Sequence, residues 1–309
     1  MIEPHCSFVN TDEIRLHYLA WDPVRASEGQ QAVMQGDDEI PIVLLHGLSA
    51  TADTWRLVAQ DLCHKHLVVA FDQRGHGESD KPTKGYDLAT IAEDAIQGMA
   101  ALGLGQVALV GHGWGARVAL VMAARHPALV SHLILVDCPH VEPRHWPGMT
   151  RDRFIREVDA AHLYTSRTTF IDAMRQEMLP FWSSEVESIL LKTVQEFPDG
   201  RLKECLHPDN QRSIRESLWD DRTLSYYSKL TCPVLLIPAA GVPQPDKEFP
   251  ERLEHTHEFA AMKGYMAAQV AEIIQQCSVL WMPDTAHDIQ LQQPRILAQA
   301  IARFIANVN

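Results

Sequence analysis

The chain has 309 residues, of which 46% are hydrophobic, and this is enough for one large core or for a core with an additional lid. Its formal charge of −13 argues against nucleic acid or an anionic membrane as the partner, because binding phosphate groups needs a cationic surface. The sequence has no apolar run of about 18 residues that would span a membrane, and no signal-peptide pattern at its start. Six cysteines without a C-x-x-C pair are typical of buried thiols in a reducing compartment, so we expect a cytoplasmic protein.

Short apolar runs alternate with amphipathic stretches along much of the chain. The predicted strands are Ile42–Leu45, Leu67–Phe71, Val107–Val110, Leu133–Val136, Val234–Ile237 and Val279–Met282. Runs that are apolar on both faces suit strands buried in a parallel sheet. The predicted helices include Leu88–Leu102, Ala116–Arg125 and Ile296–Ile305. This alternation predicts an α/β fold with a doubly wound, mostly parallel sheet, to which Ile14–Trp21 and its neighbours add antiparallel edge strands.

The alternation stops between Asp137 and about Ser228. Helical patterns lie near Arg151–Ala161, Thr168–Leu179, Glu185–Glu196 and Gln211–Trp219, without a convincing strand. We interpret residues 138–228 as a helical cap inserted after the sixth strand, between the core segments 1–137 and 229–309. Apolar residues of a cap mainly pack its helices together, but binding pockets are also largely apolar. The candidate pocket residues, which would suit a fairly apolar small molecule, are Trp146, Met149, Tyr164, Met178, Trp182 and Trp219.

Four motifs follow predicted strands in a fixed order. They are His46-Gly47-Leu48-Ser49, Asp72-Gln73-Arg74-Gly75-His76-Gly77-Glu78-Ser79, Gly111-His112-Gly113-Trp114-Gly115 and Asp284-Thr285-Ala286-His287-Asp288. Open α/β sheets place their sites at such strand ends. Together the motifs resemble the α/β-hydrolase family over nearly the whole chain. The third motif has the frame of that family's nucleophile elbow, G-x-Nu-x-G, in which the central residue carries the attacking side chain.

The resemblance implies roles for several residues. The nucleophile position is Gly113, which has no side chain. The main-chain N–H groups of Leu48 and Trp114 correspond to the oxyanion hole, and His287 corresponds to the general base. His112 is expected to pack under the turn instead, and His46 and His76 are expected to hold loops by hydrogen bonds.

The position of the acid that orients the base is decided by spacing. Many relatives place it after the seventh strand, but here no carboxylate follows Val234–Ile237 until Asp246. A second location used in the family lies just after the sixth strand, where Asp137 stands 24 residues after Gly113. Asp137 is therefore our prediction for the acid, with Asp246 as the alternative. A carboxylate at this place would accept from the ring N–H of His287 and fix its tautomer.

Three explanations remain open for Gly113. In the first, this chain is the inactivated form of a serine hydrolase, in which glycine keeps the strained turn and removes the hydroxyl. Alternatively, glycine is native and the His287–Asp137 pair acts as a base in a lyase or cofactor-free oxygenase. In the third, the cavity only binds a ligand. Ser49 and Cys138 are poor substitutes as nucleophiles, because neither is predicted on the strained turn.

The chemistry that a nucleophile at position 113 would perform is also open. Aspartate there would suggest a haloalkane dehalogenase or an epoxide hydrolase. Leu48 offers a halide no side-chain N–H, and the cap tyrosines that epoxide opening needs are represented by Tyr164, with Tyr226 and Tyr227 only at the end of the segment. We therefore predict hydrolysis of a carboxylic ester or lactone by a serine mechanism. Neither a metal nor an organic cofactor is implied by any motif.

Overall fold

The sheet contains the predicted strands in nearly the predicted places. A computed structural model describes residues 2–22, 39–137, 140–146, 148–156, 163–241 and 257–307. Its principal strands are β1 (His5–Asn10), β2 (Arg15–Trp21), β3 (Ile42–Leu45), β4 (Val68–Phe71), β5 (Val107–His112), β6 (Val130–Val136), β10 (Val234–Ile237) and β12 (Cys277–Val279), where the numbers follow chain order. They form one sheet in the order β1-β2-β4-β3-β5-β6-β10-β12. The strands from β4 to β12 run parallel, whereas β1, β2 and β4 pair antiparallel, so the predicted antiparallel edge is confirmed.

Helices cover both faces of this sheet. They are α1 (Arg56–Leu62), α2 (Leu88–Ala101), α3 (Trp114–Arg125), α4 (Arg151–Arg156), α5 (Arg167–Met178), α6 (Ser184–Leu190), α7 (Pro208–Asp220), α8 (His257–Ile273), α9 (Ile289–Gln292) and α10 (Pro294–Asn307). Short 3₁₀ turns occur at Ala52–Trp55, Pro127–Leu129, Pro143–His145, Leu191–Thr193 and Thr223–Lys229. None of the helices in the described ranges has the length and apolarity needed to cross a membrane.

Alternate residues of each central strand belong to different hydrophobic cores. In β3, Val43 and Leu45 pack on the side of α2 and α3, whereas Ile42 and Leu44 pack on the side of α1 and α10. All four side chains are fully buried. This two-sided burial explains why the strand is apolar throughout rather than alternating. The predicted doubly wound α/β fold is thus confirmed, and its sheet presents the carboxyl ends of β3, β5 and β6 along one edge.

The segment between β6 and β10, which we call the insertion, is not entirely helical as predicted. Three short strands, β7 (Leu163–Tyr164), β8 (Val194–Glu196) and β9 (Leu202–Glu204), form a small antiparallel sheet in the order β7-β9-β8. The expectation of no strand was therefore wrong, as was the helix over Glu185–Glu196, which ends at Leu190. Strands of two or three residues are too short to show a periodic pattern, so they could not be predicted from the sequence.

The last predicted strand was also inaccurate. Instead of Val279–Met282, the chain forms β12 and then, after a break, β13 (Met282–Pro283), which pairs with β11 (Ala239–Ala240). Leu280 and Trp281 between them are 38% and 42% exposed. β12 is the edge strand of the sheet, so this apolar run is not enclosed on both faces as an interior strand would be.

Candidate active site

Gly113 forms a sharp turn between the end of β5 and the start of α3. Its backbone has φ 53° and ψ −112°, and its N–H donates to the carbonyl oxygen of Val136 at 2.9 Å. Only glycine adopts a positive φ without steric cost, so a side chain at this position would be held in strained geometry.

The two glycines that flank this turn leave no space for a side chain. A Cβ built on Gly111 would lie 2.4 Å from the carbonyl oxygen of Gly115, and one built on Gly115 would lie 2.4 Å from that of His46. Both contacts are with backbone, which cannot move aside. The elbow at Gly113 therefore packs directly against the start of α3 and the end of β3. This close packing explains why both Gly111 and Gly115 are glycines.

His287 and Asp137 form a hydrogen-bonded pair beside this turn. Nδ1 of His287 lies 2.8 Å from Oδ2 of Asp137, which is only 3% exposed and follows β6 directly. The His287 side chain is 57% exposed, and its ring centroid lies 4.4 Å from that of His112. The structure thus brings together the base and the acid that were chosen from the sequence; the alternative, Asp246, lies outside the described residues.

Two further donors hold the carboxylate of Asp137. Its Oδ1 accepts from the N–H of Ala239 at 2.9 Å and lies 3.4 Å from Nζ of Lys263, which comes from α8. Burial raises the pKa of Asp137, but the hydrogen bond from His287 and the charge of Lys263 outweigh it and hold the pKa below its ordinary value. Asp137 is therefore an anion that accepts from the ring N–H at Nδ1 of His287.

The nucleophile position lies against Nε2 of His287. A Cβ built on Gly113 comes 3.0 Å from Nε2 and 3.1 Å from Cε1 of that ring, and 3.9 Å from Cα of Gly47. A hydroxyl on such a Cβ would be within hydrogen-bonding reach of the base, once the ring moves by a few tenths of an ångström. Position 113, Nε2 of His287 and the carboxylate of Asp137 therefore lie next to one another in this order.

The two predicted oxyanion donors flank the same position. Trp114 is the first residue of α3, where a main-chain N–H has no partner within the helix, and Leu48 follows Gly47 in the turn after β3. Within the described part of the chain, neither N–H has a hydrogen-bond partner. Both groups are therefore available to a bound oxygen atom.

The other histidines near the turn hold loops, as the sequence analysis expected. Nε2 of His46 accepts from the N–H of Gln73, and its Nδ1 donates to the carbonyl oxygen of Gly47. Nε2 of His76 accepts from the N–H of Ser49. Burial lowers the pKa of His46, and it lowers the pKa of His76 to about 3. Both rings are neutral and serve as fixed supports for the loop that carries Leu48.

The six candidate pocket residues fall into two groups. Trp146, Met149 and Trp219 pack against the core cluster that also contains Trp114 and contacts Leu48. The other three, Tyr164, Met178 and Trp182, belong to a separate cluster within the insertion that reaches Leu291. Of the six candidates, only Trp146, Met149 and Trp219 therefore pack against the cluster that Leu48 also contacts.

Lys263 was not predicted from the sequence. It is the only lysine of α8, between Ala-Ala-Met and Gly-Tyr-Met, and a charge in that apolar setting is the only sign of its role. Across the residues that can be described, no group of three or more His, Cys, Asp or Glu side chains is arranged to hold a metal ion.

The comparison with protein families agrees with this geometry. A model of the alpha/beta hydrolase fold family matches residues 40–223, and the chain belongs to this family. Its members act on small-molecule substrates.

The sequence relatives and solved structures include hydrolases of several kinds. Epoxide hydrolase 3 of Xenopus tropicalis is 33% identical over 161 residues, which are 51% of this chain and 38% of that protein. The soluble epoxide hydrolase of Corynebacterium sp. (strain C12) is 39% identical over 97 residues, 31% of this chain and 34% of that protein. The chain thus spans little more than a third of the length of these curated relatives.

Two solved structures match over nearly their whole length. The structure of E-2-(acetamidomethylene)succinate hydrolase has a TM-score of 0.76 at 20% identity, covering 98% of this chain and 99% of that one. An esterase of M. tuberculosis has a TM-score of 0.70 at 18% identity, covering 99% and 93%. At these identities the structures show the shared fold, and the sequence relatives show that the chain is related to hydrolases.

Proposed function

We propose that this site is built to hydrolyse a carboxylic ester or lactone through a nucleophile at position 113, and that this chain, with glycine there, keeps every other part of the machinery. One observation carries the proposal. A Cβ built on residue 113 lies 3.0 Å from Nε2 of His287, whose Nδ1 is hydrogen-bonded to the buried carboxylate of Asp137. Because that arrangement serves to activate a side chain at 113, its persistence points to nucleophilic catalysis.

The proposed reaction proceeds through an acyl-enzyme. A serine oxygen at 113 attacks the substrate carbonyl, Nε2 of His287 takes the proton, and the N–H groups of Leu48 and Trp114 bind the oxyanion. His287 then returns the proton to the leaving alcohol oxygen, and water repeats the sequence to release the acid. Asp137 keeps the proton on Nδ1 and stabilises the imidazolium.

The chain with Gly113 lacks the attacking atom, and we expect it to hydrolyse such substrates at least about 10³-fold more slowly than a serine form. Removal of one triad member leaves only substrate binding and the oxyanion donors to act. We propose that the insertion covers the site as a cap and that Trp146, Met149 and Trp219 line an apolar pocket, with Tyr164, Met178 and Trp182 supporting the cap from its own core.

Ester hydrolysis is favoured over epoxide opening and dehalogenation by the surroundings of the site. Epoxide opening needs tyrosine hydroxyls that converge from the cap, but Tyr164 and Tyr227 belong to different hydrophobic clusters. At the oxyanion loop, Leu48 supplies a main-chain N–H but no side-chain donor for a halide.

A second candidate function takes glycine as the native residue. A Cβ at 3.0 Å from Nε2 would be closer than ordinary van der Waals contact, so the ring of His287 sits where a side chain at 113 would displace it. In that case Nε2 removes a proton from the substrate itself, in a lyase or oxygenase reaction without cofactor. A pure binding module, the third alternative, has no use for an aligned base and acid.

The test compares three substitutions at one position. Gly113→Ser, Gly113→Ala and Gly113→Asp are assayed with p-nitrophenyl acetate and butyrate, γ-butyrolactones and styrene oxide. We expect Gly113→Ser to hydrolyse esters or lactones about 10²–10³-fold faster than Gly113→Ala, which has the same backbone strain and no nucleophile. Equal rates for Ser and Ala would refute the ester and lactone proposal.

The remaining outcomes separate the alternatives. A gain on styrene oxide by Gly113→Asp alone would indicate an epoxide hydrolase. A turnover by the unsubstituted chain that is lost in both His287→Ala and Gly113→Ala would support the native-glycine enzyme.

A further inference from the structure

A second set of hydrogen-bonded cysteine, histidine and carboxylate side chains lies at the antiparallel edge of the sheet, remote in sequence from the elbow. Sγ of Cys6 on β1 is 2.9 Å from Nε2 of His17 on β2, and Nδ1 of His17 is 2.7 Å from Oδ2 of Asp72. The three groups form a line in which each ring nitrogen of His17 has one partner. This is the order of groups that activates a thiol nucleophile.

The carboxylate end of this line is rigid and anionic. Asp72 is 2% exposed and also accepts from the N–H groups of Ala52 at 2.7 Å and Glu78 at 2.9 Å. Burial raises its pKa, but the hydrogen bond from His17 and the other donors outweigh it and hold the pKa at about 2. Asp72 therefore fixes the orientation of the imidazole, as the acid of a catalytic triad does.

His17 is a cation between its two partners. Burial lowers its pKa, but the hydrogen bonds with Asp72 and Cys6 outweigh it and raise the pKa to about 9. At neutral pH both ring nitrogens then carry protons, so Nε2 donates and the sulfur of Cys6 accepts. A sulfur that accepts from an imidazolium is in the setting that stabilises a thiolate.

Cys6 differs from the other described cysteines in both partner and exposure. It is exposed, whereas Cys63 is buried and Cys205 and Cys277 are half-buried, and the sulfurs of these three bond to main-chain carbonyls. Burial raises the pKa of Cys277 to about 11, which keeps that thiol protonated and unreactive.

An aromatic ring and a guanidinium lie beside His17 at this edge of the sheet. The ring of Phe8, 40% exposed, lies 5.2 Å from that of His17, and the guanidinium of Arg15 lies 4.2 Å above the Phe8 ring. An electrophile with an anionic group and a flat or apolar part would be attracted to this place in an otherwise acidic protein.

We propose that Cys6 is a nucleophilic thiol and a site of S-thiolation by small anionic disulfides. The sulfur of Cys6 attacks one sulfur of the disulfide, a new S–S bond joins Cys6 to that half, and the other half leaves as a thiolate. Cys6 attacks as the thiolate that accepts from the imidazolium of His17, and its negative charge leaves on the other half, so the disulfide is the oxidant and no other reagent is consumed.

The experiment measures the rate of this exchange with 5,5′-dithiobis(2-nitrobenzoic acid), which releases a coloured thiolate. An ordinary thiol reacts roughly 80-fold more slowly at pH 6 than at pH 8, because its thiolate fraction falls with pH. We expect a fast phase of one thiol per chain whose rate falls less than about tenfold over this range. It should be absent in Cys6→Ser and retained in the control Cys205→Ser.

Two further measurements make the result decisive. His17→Gln should restore the steep pH dependence of the Cys6 reaction, and oxidised glutathione should add one glutathionyl group at Cys6, seen by peptide mass mapping. A fast phase that survives in Cys6→Ser, or a Cys6 rate that falls roughly 80-fold in the unsubstituted chain, would overturn the proposal. Neither readout involves hydrolysis, so the outcome is independent of the function proposed for Gly113.

Discussion

Asp137 and His287 are 150 positions apart in the sequence, yet Oδ2 of the first lies 2.8 Å from Nδ1 of the second. The contact depends on the backbone at Asp137, which has a φ of 34° as the chain leaves β6. Its N–H donates to the carbonyl oxygen of Ile237, and its side chain accepts from the N–H of Ala239, so Asp137 is held by the end of β10 and the start of β11. The carboxylate is therefore placed by the sheet, and the histidine loop meets it there.

The first prediction concerns this pair. In the Gly113→Ser background, Asp137→Asn should lower kcat for ester hydrolysis by about 10³–10⁴-fold, because an amide no longer holds the proton on Nδ1 and the wrong tautomer faces the serine. The matched control is Asp284→Asn, which removes a carboxylate from the same loop as His287. Asp284 has a φ of 53°, a conformation that asparagine tolerates. Equal effects of the two substitutions would show that Asp137 has no special role.

The sequence predicted those parts of the molecule whose physics is local or periodic. β3 and β10 were found at their observed residues because interior parallel strands are apolar throughout. Asp137 was placed beside His287 because it follows a strand end and because its spacing from Gly113 matches the family that the motifs resemble. Lys263 could not be found, because its contact with Asp137 depends on the tertiary placement of α8. The division of the aromatic residues between two clusters was equally invisible, since composition says which side chains are apolar but not which neighbours they meet.

The second prediction tests the packing of the elbow. Gly115→Ala should lower the free energy of unfolding by about 3 kcal/mol or more, because the new Cβ would lie 2.4 Å from the carbonyl oxygen of His46 and 2.5 Å from that of Leu45. Gly105→Ala is the control, since a Cβ there meets nothing within 4 Å, and its effect should stay within about 0.5 kcal/mol. Urea unfolding followed by circular dichroism measures both. Similar midpoints for the two variants would contradict the close approach of α3 to β3.

The third prediction is loss of stability in mild acid. Burial lowers the pKa of His76 to about 3 and those of His112 and His140 to about 4, against about 6.5 in the unfolded chain. A group whose pKa is lower in the folded than in the unfolded state stabilises the protein at pH values above its unfolded pKa. This contribution is lost as the pH falls towards the folded pKa.

The three rings act in the same direction, and each pH unit between the folded and unfolded pKa of one ring corresponds to about 1.4 kcal/mol. We therefore expect the chain to unfold between about pH 6 and pH 4, measured by circular dichroism at fixed ionic strength. Substitution of the exposed His64 by glutamine should leave the midpoint unchanged. A chain that stays folded at pH 4 would show that these rings are solvated or able to leave their sites.

The last prediction concerns the alkaline side and depends on His17. Its pKa is raised from 6.5 to about 9 in the folded state, where the bonds with Asp72 and Cys6 outweigh burial. A raised histidine pKa stabilises the fold fully below about pH 6.5, and the contribution disappears as the pH rises through about 9. The free energy of unfolding should therefore fall by on the order of 3 kcal/mol between pH 6.5 and pH 9. His17→Gln should remove this slope even if it lowers stability at every pH, because glutamine does not titrate. If the slope persists in His17→Gln, other groups titrate in this range and His17 is not a cation in the folded protein.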